Sequence, residues 1–375
     1  MNLVNKTKLV AGYTMATDRT GREWVVAVAK GTYGFPERPD RSPVLLEEQA
    51  PLVETDVFTG EPGFSAPLYE IDFAPRKPRC DVLLNGSCHA PEGKPATRVT
   101  VSLQVGALTK TFNVVGDRKY SAGLLYRTAG EPEPFTVMPI SYNNAYGGVD
   151  KPGEDPNTHR WYLLNHAGVG YHPGALPRAL DGKPLPNTEE AGQAVSKSNG
   201  SYTPMAFGPV GRSWQPRIKW AGTYDAQWQD TKCPLLPDDF DDRYYQSAPD
   251  DQQTDYLKGG EEVVLTNLTP QGRTAFRLPG LLRLPVVFAL RDGERKEVPA
   301  VVDTVVLEPE KKRLMLVWRA SLPLSRGVCE VTDVALGHSA GQWERMQRRV
   351  EEVTGKRRFK SLAHLVRRAR KLRKK

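Results

Sequence analysis

Alternation of apolar and polar residues is the clearest pattern along the chain, and it indicates β-strands. Apolar side chains stand at every second position of residues 98–105, and residues 109–115 continue the apolar pattern on the way back. A period of two residues is typical of a strand with one buried face. Gly106-Ala107 between the two runs suits a two-residue turn with glycine first. The pattern therefore predicts a β-hairpin over residues 98–115.

Other runs rich in β-branched and aromatic residues predict further strands. Asp292-Gly293 is the strongest short hairpin signal in the chain. The further predicted strands cover residues 24–35, 67–75, 263–265, 274–278, 285–290, 301–307 and 313–319. Glycine and proline make up 64 of the 375 residues, which favours short strands joined by many turns. We expect a mainly β fold of sandwich type, with antiparallel sheets and long irregular loops.

The end of the chain has a different character. Residues 341–375 carry 14 Lys and Arg and three Glu, a net charge of +11, so the rest of the chain is slightly acidic although the whole carries +8. Helical spacing appears in two apolar stripes, the first ending near Gly355 and the second starting at Ser361. These stripes are Trp343, Met346, Val350 and Val353, then Leu362, Leu365, Ala369 and Leu372. We predict a β-rich domain over 1–325, which could divide into packed subdomains at about 1–200 and 201–325, and a basic helical tail over 326–375.

The basic tail fits several roles. A basic helix can contact nucleic acid phosphates or a membrane surface, and it can also lay its apolar stripe on an acidic protein. It can equally be a solubilising terminus that contacts nothing. No nucleic acid recognition motif or stacking platform accompanies it, so at most a nonspecific nucleic acid contact is expected. No stretch approaches 20 apolar residues and no signal peptide is evident, which predicts a soluble, cytoplasmic protein without a membrane span.

One motif has the form of an enzyme site. Gly337–Gly341 matches G-x-S-x-G, and it stands between a strand-like run and a predicted helix, as a nucleophile elbow does. In that fold the acid and the histidine follow the serine, yet after Ser339 the chain offers three glutamates and His364 within the basic tail. A turn of small residues into the tail is the favoured interpretation. A serine hydrolase that uses Ser339 is kept as the alternative.

Metal and cofactor sites have little support in the sequence. The cluster Asp238, Asp239, Asp241 and Asp242 lacks the spacing of a calcium loop, and we expect these carboxylates to cap turns after Pro237 and to pair with Arg243. His159, His166 and His172 have no cysteine or aspartate in register for zinc, so they are expected to be polar loop residues. The four cysteines, which form no C-x-x-C pair, are expected to be free, buried thiols. No cofactor and no catalytic group is predicted.

Several blocks of the sequence resemble one bacterial family. They run in order from YEIDFAPRKPRCDVLLNGSCHAP (69–91) through FTVMPISYNNAYGG, LPNTE and FGPVGRSWQPRIKWAGTYDAQW to LPDDFDDRYYQSAPDDQ and GGEEVVLTNLTPQG. Over roughly residues 3–323 the chain is similar to the uncharacterised-domain family 2169 (DUF 2169). The resemblance implies a non-enzymatic adaptor or chaperone of type VI secretion, which binds an effector toxin and helps load it onto the VgrG spike and its PAAR tip.

An adaptor of this kind needs an aromatic and arginine-bearing face. The stretch 207–252 contains three Trp, three Tyr and five Pro without a regular period, which predicts an irregular but well-packed connection. It supplies most of the candidate protein-binding residues, for which burial in the core is the competing interpretation. The candidates are Tyr142, Tyr146, Arg212, Trp214, Arg217, Trp220 and Tyr224.

Overall fold

The structure, a computed structural model, describes residues 1–38, 41–122, 127–280 and 284–354. Most of these residues form strands or irregular connections. The strands in this part of the chain are β1 Asn2–Asn5, β2 Val10–Thr17, β3 Glu23–Gly34, β4 Val44–Leu45, β5 Val57–Phe58, β6 Pro67–Tyr69, β7 Cys80–Leu84, β8 Gly86–His89, β9 Arg98–Val105, β10 Leu108–Val115, β11 Tyr120–Ala122, β12 Arg127–Ala129, β13 Val137–Ile140, β14 Tyr146–Gly147, β15 Val149–Asp150, β16 Arg160–Trp161, β17 Val169–Gly170, β18 Thr188–Glu190, β19 Gln253–Thr254, β20 Glu262–Thr266, β21 Arg273–Arg277, β22 Leu284–Leu290, β23 Arg295–Glu308, β24 Arg313–Pro323 and β25 Val331–Leu336.

Helices are short in the described residues, apart from the last one. The α-helices are α1 Pro177–Leu180, α2 Gln215–Ile218, α3 Ala226–Thr231 and α4 Ala340–Thr354. Single 3-10 turns occupy Pro91–Gly93, Tyr142–Asn144, Pro156–Thr158, Asp242–Tyr245, Asp250–Gln252, Pro309–Lys311 and Val328–Glu330. The predicted mainly β class is thereby confirmed. Within the described ranges, no helix has both the length and the apolar character needed to cross a membrane.

Two sheets pack face to face. Across the described ranges, ten strands form a large sheet with the main order β1-β25-β22-β23-β24-β3-β2, and five form a small sheet in the order β18-β10-β9-β20-β21. Their facing side chains share one apolar core, as in a sandwich. The predicted hairpin over 98–115 is β9 and β10, and Gly106 adopts a φ of 58° in its turn. The hairpin at Asp292-Gly293 joins β22 and β23, also as predicted.

The strand β3 is apolar at consecutive positions because both of its faces are buried. Val25, Ala27 and Ala29 point into the core shared with the small sheet, whereas Val26 and Val28 point to the opposite face. Leu52 and Phe73 pack on that opposite face. A strand covered on both sides reads as a continuous hydrophobic run. The large sheet is therefore covered on its second face by irregular chain, which forms a third layer.

The ends of the described chain meet in the large sheet. β1 pairs with β25 in parallel, with Asn2 opposite Asp333 and Asn5 opposite Leu336. β25 lies inside the segment 326–375 that the sequence assigns to a tail, so the tail begins after this strand. The first turns of α4 pack on the sheet through Trp343, which contacts Val287 and Ala335. Both sheets also take strands from either side of residue 200.

The prediction that all four cysteines are buried is confirmed for two of them. Cys80 and Cys88 are buried, but Cys233 and Cys329 are exposed, so the prediction of buried thiols was wrong for these two. Cys233 follows α3 and Cys329 lies in the 3-10 turn Val328–Glu330, so neither belongs to a strand that faces the core. The predicted second helix from Ser361 and the closing Gly355 lie outside the described residues.

Candidate protein-binding surface

The seven candidate residues divide into buried and surface-reaching side chains. Four have 0 to 3% of their surface exposed, namely Tyr142, Tyr146, Trp214 and Arg217. A side chain buried to this extent contacts its own protein, so these four stabilise the fold in this conformation. The side chains of Arg212, Trp220 and Tyr224 reach solvent. The seven residues therefore do not form a single face.

Tyr142 and Trp214 belong to the main core. Their rings meet edge to face with centroids 5.3 Å apart, a favourable aromatic geometry. Burial raises the pKa of the Tyr142 phenol, which stays neutral. Gly211 lies directly against the Trp214 indole, and a Cβ at that position would come within 2.7 Å of the ring. The glycine therefore lets the backbone approach the indole closely.

Tyr146 anchors a second, smaller core built mainly from tyrosines. Its ring packs edge to face against Tyr162 at 4.9 Å and against Tyr202 at 4.8 Å. Its hydroxyl donates to the carbonyl oxygen of Ser198 at 3.1 Å. The following Gly148 has a φ of 108°, and a Cβ there would lie 2.5 Å from the carbonyl oxygen of Gly168. Tyr146 and Gly148 are therefore needed for packing.

Arg217 and Arg212 share carboxylates beneath the surface. Arg217 forms two hydrogen bonds with Glu70 and donates to the carbonyl oxygens of Val210 and Tyr244 at 2.9 and 2.8 Å. Arg212 binds the same Glu70 at 2.5 Å and Asp56 at 2.7 Å. Burial opposes ionisation of Asp56, but hydrogen bonds from Arg212 and from the Ile71 N–H, together with the nearby arginine charges, outweigh it, so the pKa of Asp56 is lowered. The network fixes the aromatic stretch to residues 56–70.

Two ring contacts lie at the surface of the aromatic stretch, one at Trp220 and one at Tyr224. The guanidinium of Arg243 lies 3.3 Å from the centroid of the Trp220 ring, a cation–π contact. Tyr224, which is 53% exposed, meets the partly exposed Trp228 edge to face at 4.7 Å. We call Trp220, Tyr224, Trp228 and Arg243 the aromatic surface. Tryptophan, tyrosine and arginine are the residues that most often dominate binding energy at protein interfaces.

The acidic cluster holds the aromatic surface in place. Asp239 accepts hydrogen bonds from the Thr223 backbone N–H at 2.9 Å and from its hydroxyl at 2.7 Å. Asp241 accepts from the N–H of Arg243 and forms an ion pair with its guanidinium at 2.8 Å. The predicted turn-capping role and the pairing with Arg243 are thus confirmed for Asp241. Asp242 and Asp238 pair instead with Arg76 and Lys232.

Trp228 was not among the predicted binding residues. It lies in α3, where Asp225 caps the helix by accepting a hydrogen bond from the Trp228 N–H at 2.8 Å. Its indole N–H donates to the carbonyl oxygen of Leu235 at 2.9 Å. The available signal was Asp225 placed three residues before Trp228, which is N-cap spacing. That signal indicates the helix, and the exposure of the ring follows only from the fold.

A cleft of about 460 Å³ lies beside this surface. The turn between β2 and β3 forms one wall, and residues 236–245 form the other. Trp24, Arg76 and Tyr245 line it. Arg19 crosses between the walls and donates to the carbonyl oxygen of Asp238 at 3.0 Å. The cleft therefore joins the end of β2 to the segment that carries Arg243.

The remaining candidate groups have local structural partners. Ser339 caps α4 in a reciprocal pair: its hydroxyl accepts from the Gln342 N–H at 3.3 Å, and its own N–H donates to Gln342 Oε1 at 2.9 Å. His172 lies 3.4 Å from Asp150, and His166 packs against Trp161. In the described part of the chain, no group of three or more His, Cys, Asp or Glu is arranged to hold a metal.

Comparison with known proteins gives one match. The model of the family described as "Uncharacterized protein conserved in bacteria (DUF2169)" matches residues 20–319. The chain belongs to this family. The match spans β3 to most of β24, and it includes the aromatic surface and the buried network beneath it. No curated protein and no solved structure matches the chain significantly.

Proposed function

We propose that this DUF2169 protein is a non-enzymatic, cytoplasmic adaptor that binds a type VI secretion effector and helps load it onto the VgrG spike or its PAAR tip. Family membership over residues 20–319 is the observation that carries the proposal. The sequence blocks that resemble the family also supply the aromatic surface. An adaptor needs a rigid scaffold and a few binding anchors, and it needs no chemistry of its own.

The geometry of the aromatic surface supports a binding role. Trp220 is held in place by Arg243 on its ring face, and Tyr224 by Trp228 at its edge. Because Asp225, Asp239 and Asp241 fix the backbone around these rings, little side-chain freedom is lost when a partner docks. Rings that are preorganised and half-exposed are suited to act as anchors.

Co-expression tests the proposal. The full chain is produced with each protein encoded beside its gene, above all any PAAR or VgrG protein and any toxin, and the mixtures are separated by size exclusion. We expect a stable complex with an effector or PAAR-bearing protein whose solubility depends on the adaptor. Elution of the chain alone beside every neighbour would contradict the proposal.

A serine hydrolase is the alternative, and the same protein preparation tests it. A fluorophosphonate probe would label a nucleophilic Ser339, and Ser339→Ala would abolish that label. Ser339 caps a helix through its hydroxyl, which gives the hydrolase no added support. We expect no labelling of the folded protein.

A further inference from the structure

The strand β2 is an end strand of the large sheet. It pairs with β3 from Val10 opposite Lys30 to Thr17 opposite Glu23, in an unbroken antiparallel register. In the sheet order β2 is terminal, as is β1 at the other end. One edge of β2 is therefore used by β3, and the other faces away from the ladder.

The hydrogen-bond alternation identifies which residues face outward. The N–H of Asp18 donates to the carbonyl oxygen of Arg22, so Asp18 belongs to a hydrogen-bonded pair of the hairpin. Hydrogen-bonded pairs alternate with non-hydrogen-bonded pairs along an antiparallel ladder, so Thr14 and Ala16 also bond to β3. The residues between and beside them, Tyr13, Met15 and Thr17, therefore direct their backbone N–H and C=O groups outward, away from β3. Among the residues that the structure describes, the outward N–H groups of these three have no hydrogen-bond partner.

The composition of β2 leaves this edge unprotected. Natural edge strands commonly carry a charged residue, a proline or a bulge that blocks pairing with another chain. The eight residues of β2, VAGYTMAT, include neither a charge nor a proline, and their register with β3 has no bulge. Met15 lies opposite Val25, a core residue of the sandwich, and yet it is 57% exposed. An apolar residue on the core side of the sheet is thus left open at the edge.

We propose that the outer edge of β2 at Tyr13–Thr17 binds one extended, uncharged segment of the cargo protein as an added strand. This inference rests on the proposed adaptor function. Backbone pairing would satisfy the outward groups, and apolar side chains at alternate positions of the segment would cover Met15. Since Ala16 and Thr17 also line the cleft of about 460 Å³, the same cargo can continue from β2 toward residues 236–245.

A second copy of this chain is a poorer occupant of the edge. β1 runs close to the first half of β2. The hydroxyl of Tyr13 in β2 donates to the carbonyl oxygen of Met1, the residue before β1, at 3.2 Å. Two copies could pair through their β2 strands only in antiparallel fashion, with Met15 of one copy opposite Met15 of the other. In that arrangement the β1 strand of each copy would lie where one end of the other copy's β2 strand has to go. A single segment without its own sheet avoids this clash.

Peptide binding tests the proposal directly. Overlapping 15-residue peptides that cover the proteins encoded beside the gene are arrayed and probed with the full-length protein. We expect binding to peptides with apolar residues at alternate positions. Met15→Pro removes an outward N–H and should weaken binding roughly tenfold or more, whereas Met15→Ala keeps the N–H and should lose less. Amide exchange of Tyr13, Met15 and Thr17 should slow when the peptide is bound.

The outcomes separate this proposal from the adaptor function. Peptides that fail to bind, or that bind Met15→Pro as well as the unchanged protein, would overturn the added strand even if an intact cargo still co-purifies. Self-association that Met15→Pro removes, without peptide binding, would assign the edge to a second copy instead. If Met15→Pro fails to fold, Met15→Lys provides a charged edge that should also block pairing, and unchanged binding by that variant would overturn the proposal.

Discussion

Arg217 and Glu70 form a bidentate ion pair inside the protein, with Nη1 2.9 Å from Oε2 and Nη2 2.7 Å from Oε1. The paired side chains are 4% and 8% exposed. A guanidinium and a carboxylate in this geometry fix both position and orientation. Because the two residues are 147 positions apart, the pair fastens the aromatic stretch to the layer that covers the large sheet.

Replacing Arg217 by Met should destabilise the fold. The change leaves Glu70 buried with less compensation, and breaking a buried pair from one side typically costs about 3 to 5 kcal/mol of unfolding free energy. Because Arg212 stays beside Glu70 and still compensates its charge, we expect a loss of unfolding free energy near the lower end of this range. Urea unfolding followed by circular dichroism measures the change. Arg243→Met, which breaks an exposed pair with Asp241, is the control and should leave the midpoint nearly unchanged.

Substitutions at the aromatic surface should reduce binding without unfolding the protein. Trp220→Ala and Tyr224→Ala should each weaken a co-purified complex, with a loss of about 2 kcal/mol of binding free energy if the residue is a central anchor. Titration calorimetry measures this loss, and the melting temperature of each variant checks the fold. Trp214→Ala is the matched contrast, because its buried ring should cost about 3 to 5 kcal/mol of stability. Unchanged binding by both surface variants would place the interface elsewhere.

Removing the cap of α4 should loosen the helix. Ser339→Ala deletes the side chain that accepts the Gln342 N–H, and loss of an N-cap typically costs about 1 kcal/mol. Ser339→Asp restores an acceptor and should recover most of the stability. Thermal melting of the three proteins provides the comparison. Equal melting temperatures for the alanine variant and the unchanged protein would show that the cap is unimportant.

Acid sensitivity should depend on Asp18. Burial opposes its ionisation, but hydrogen bonds from Thr20, Trp24 and Arg22 prevail and lower the pKa of Asp18 to about 2. Because the folded-state pKa is depressed, the carboxylate stabilises the fold above its ordinary pKa near 3.8, and this contribution disappears as the pH falls toward 2. Urea midpoints measured between pH 5 and pH 2 should fall less steeply for Asp18→Asn than for the unchanged protein.

Two of the four thiols should react in the folded protein. Cys233 and Cys329 are exposed, whereas Cys80 and Cys88 are buried and burial raises their pKa, that of Cys88 to about 12. Because the thiolate is the reactive form, the buried pair should be protected by both access and ionisation. Titration with a chromogenic disulfide should count two thiols before denaturation and four afterwards. The double variant Cys233→Ser/Cys329→Ser should give none while folded.

The alternation of apolar and polar residues predicted β9 and β10 well because each of these strands has one buried face, and runs of β-branched residues predicted β3 and β22. The hairpin of β9 and β10 has the predicted bounds within one residue, and β3 and β22 also agree closely. The order of strands could not be read in the same way. β7 pairs with β23 in parallel over 200 positions along the chain, and such a pairing depends on the whole sheet. Local pattern carries no information about a distant partner.

The candidate surface was harder to predict than the fold, since aromatic residues serve both cores and interfaces. Trp214 and Trp220 are six positions apart in the same irregular stretch, and yet the first is 2% exposed and the second reaches solvent. What separates them is Arg217, which pulls the intervening turn against Glu70. A contact between residues so distant in the chain is settled by tertiary packing, which residue type alone does not reveal.

The pairing of β1 with β25 has a consequence for how the protein is made. Asn2–Asn5 leave the ribosome long before their partner Val331–Leu336, because the paired Asn2 and Asp333 are 331 positions apart in the chain. Since such distant pairing is slow to form and leaves apolar surface open in the meantime, the large sheet can be completed only after β25 has been synthesised. Until then the nascent chain is expected to depend on general chaperones, although its proposed mature role is to assist another protein.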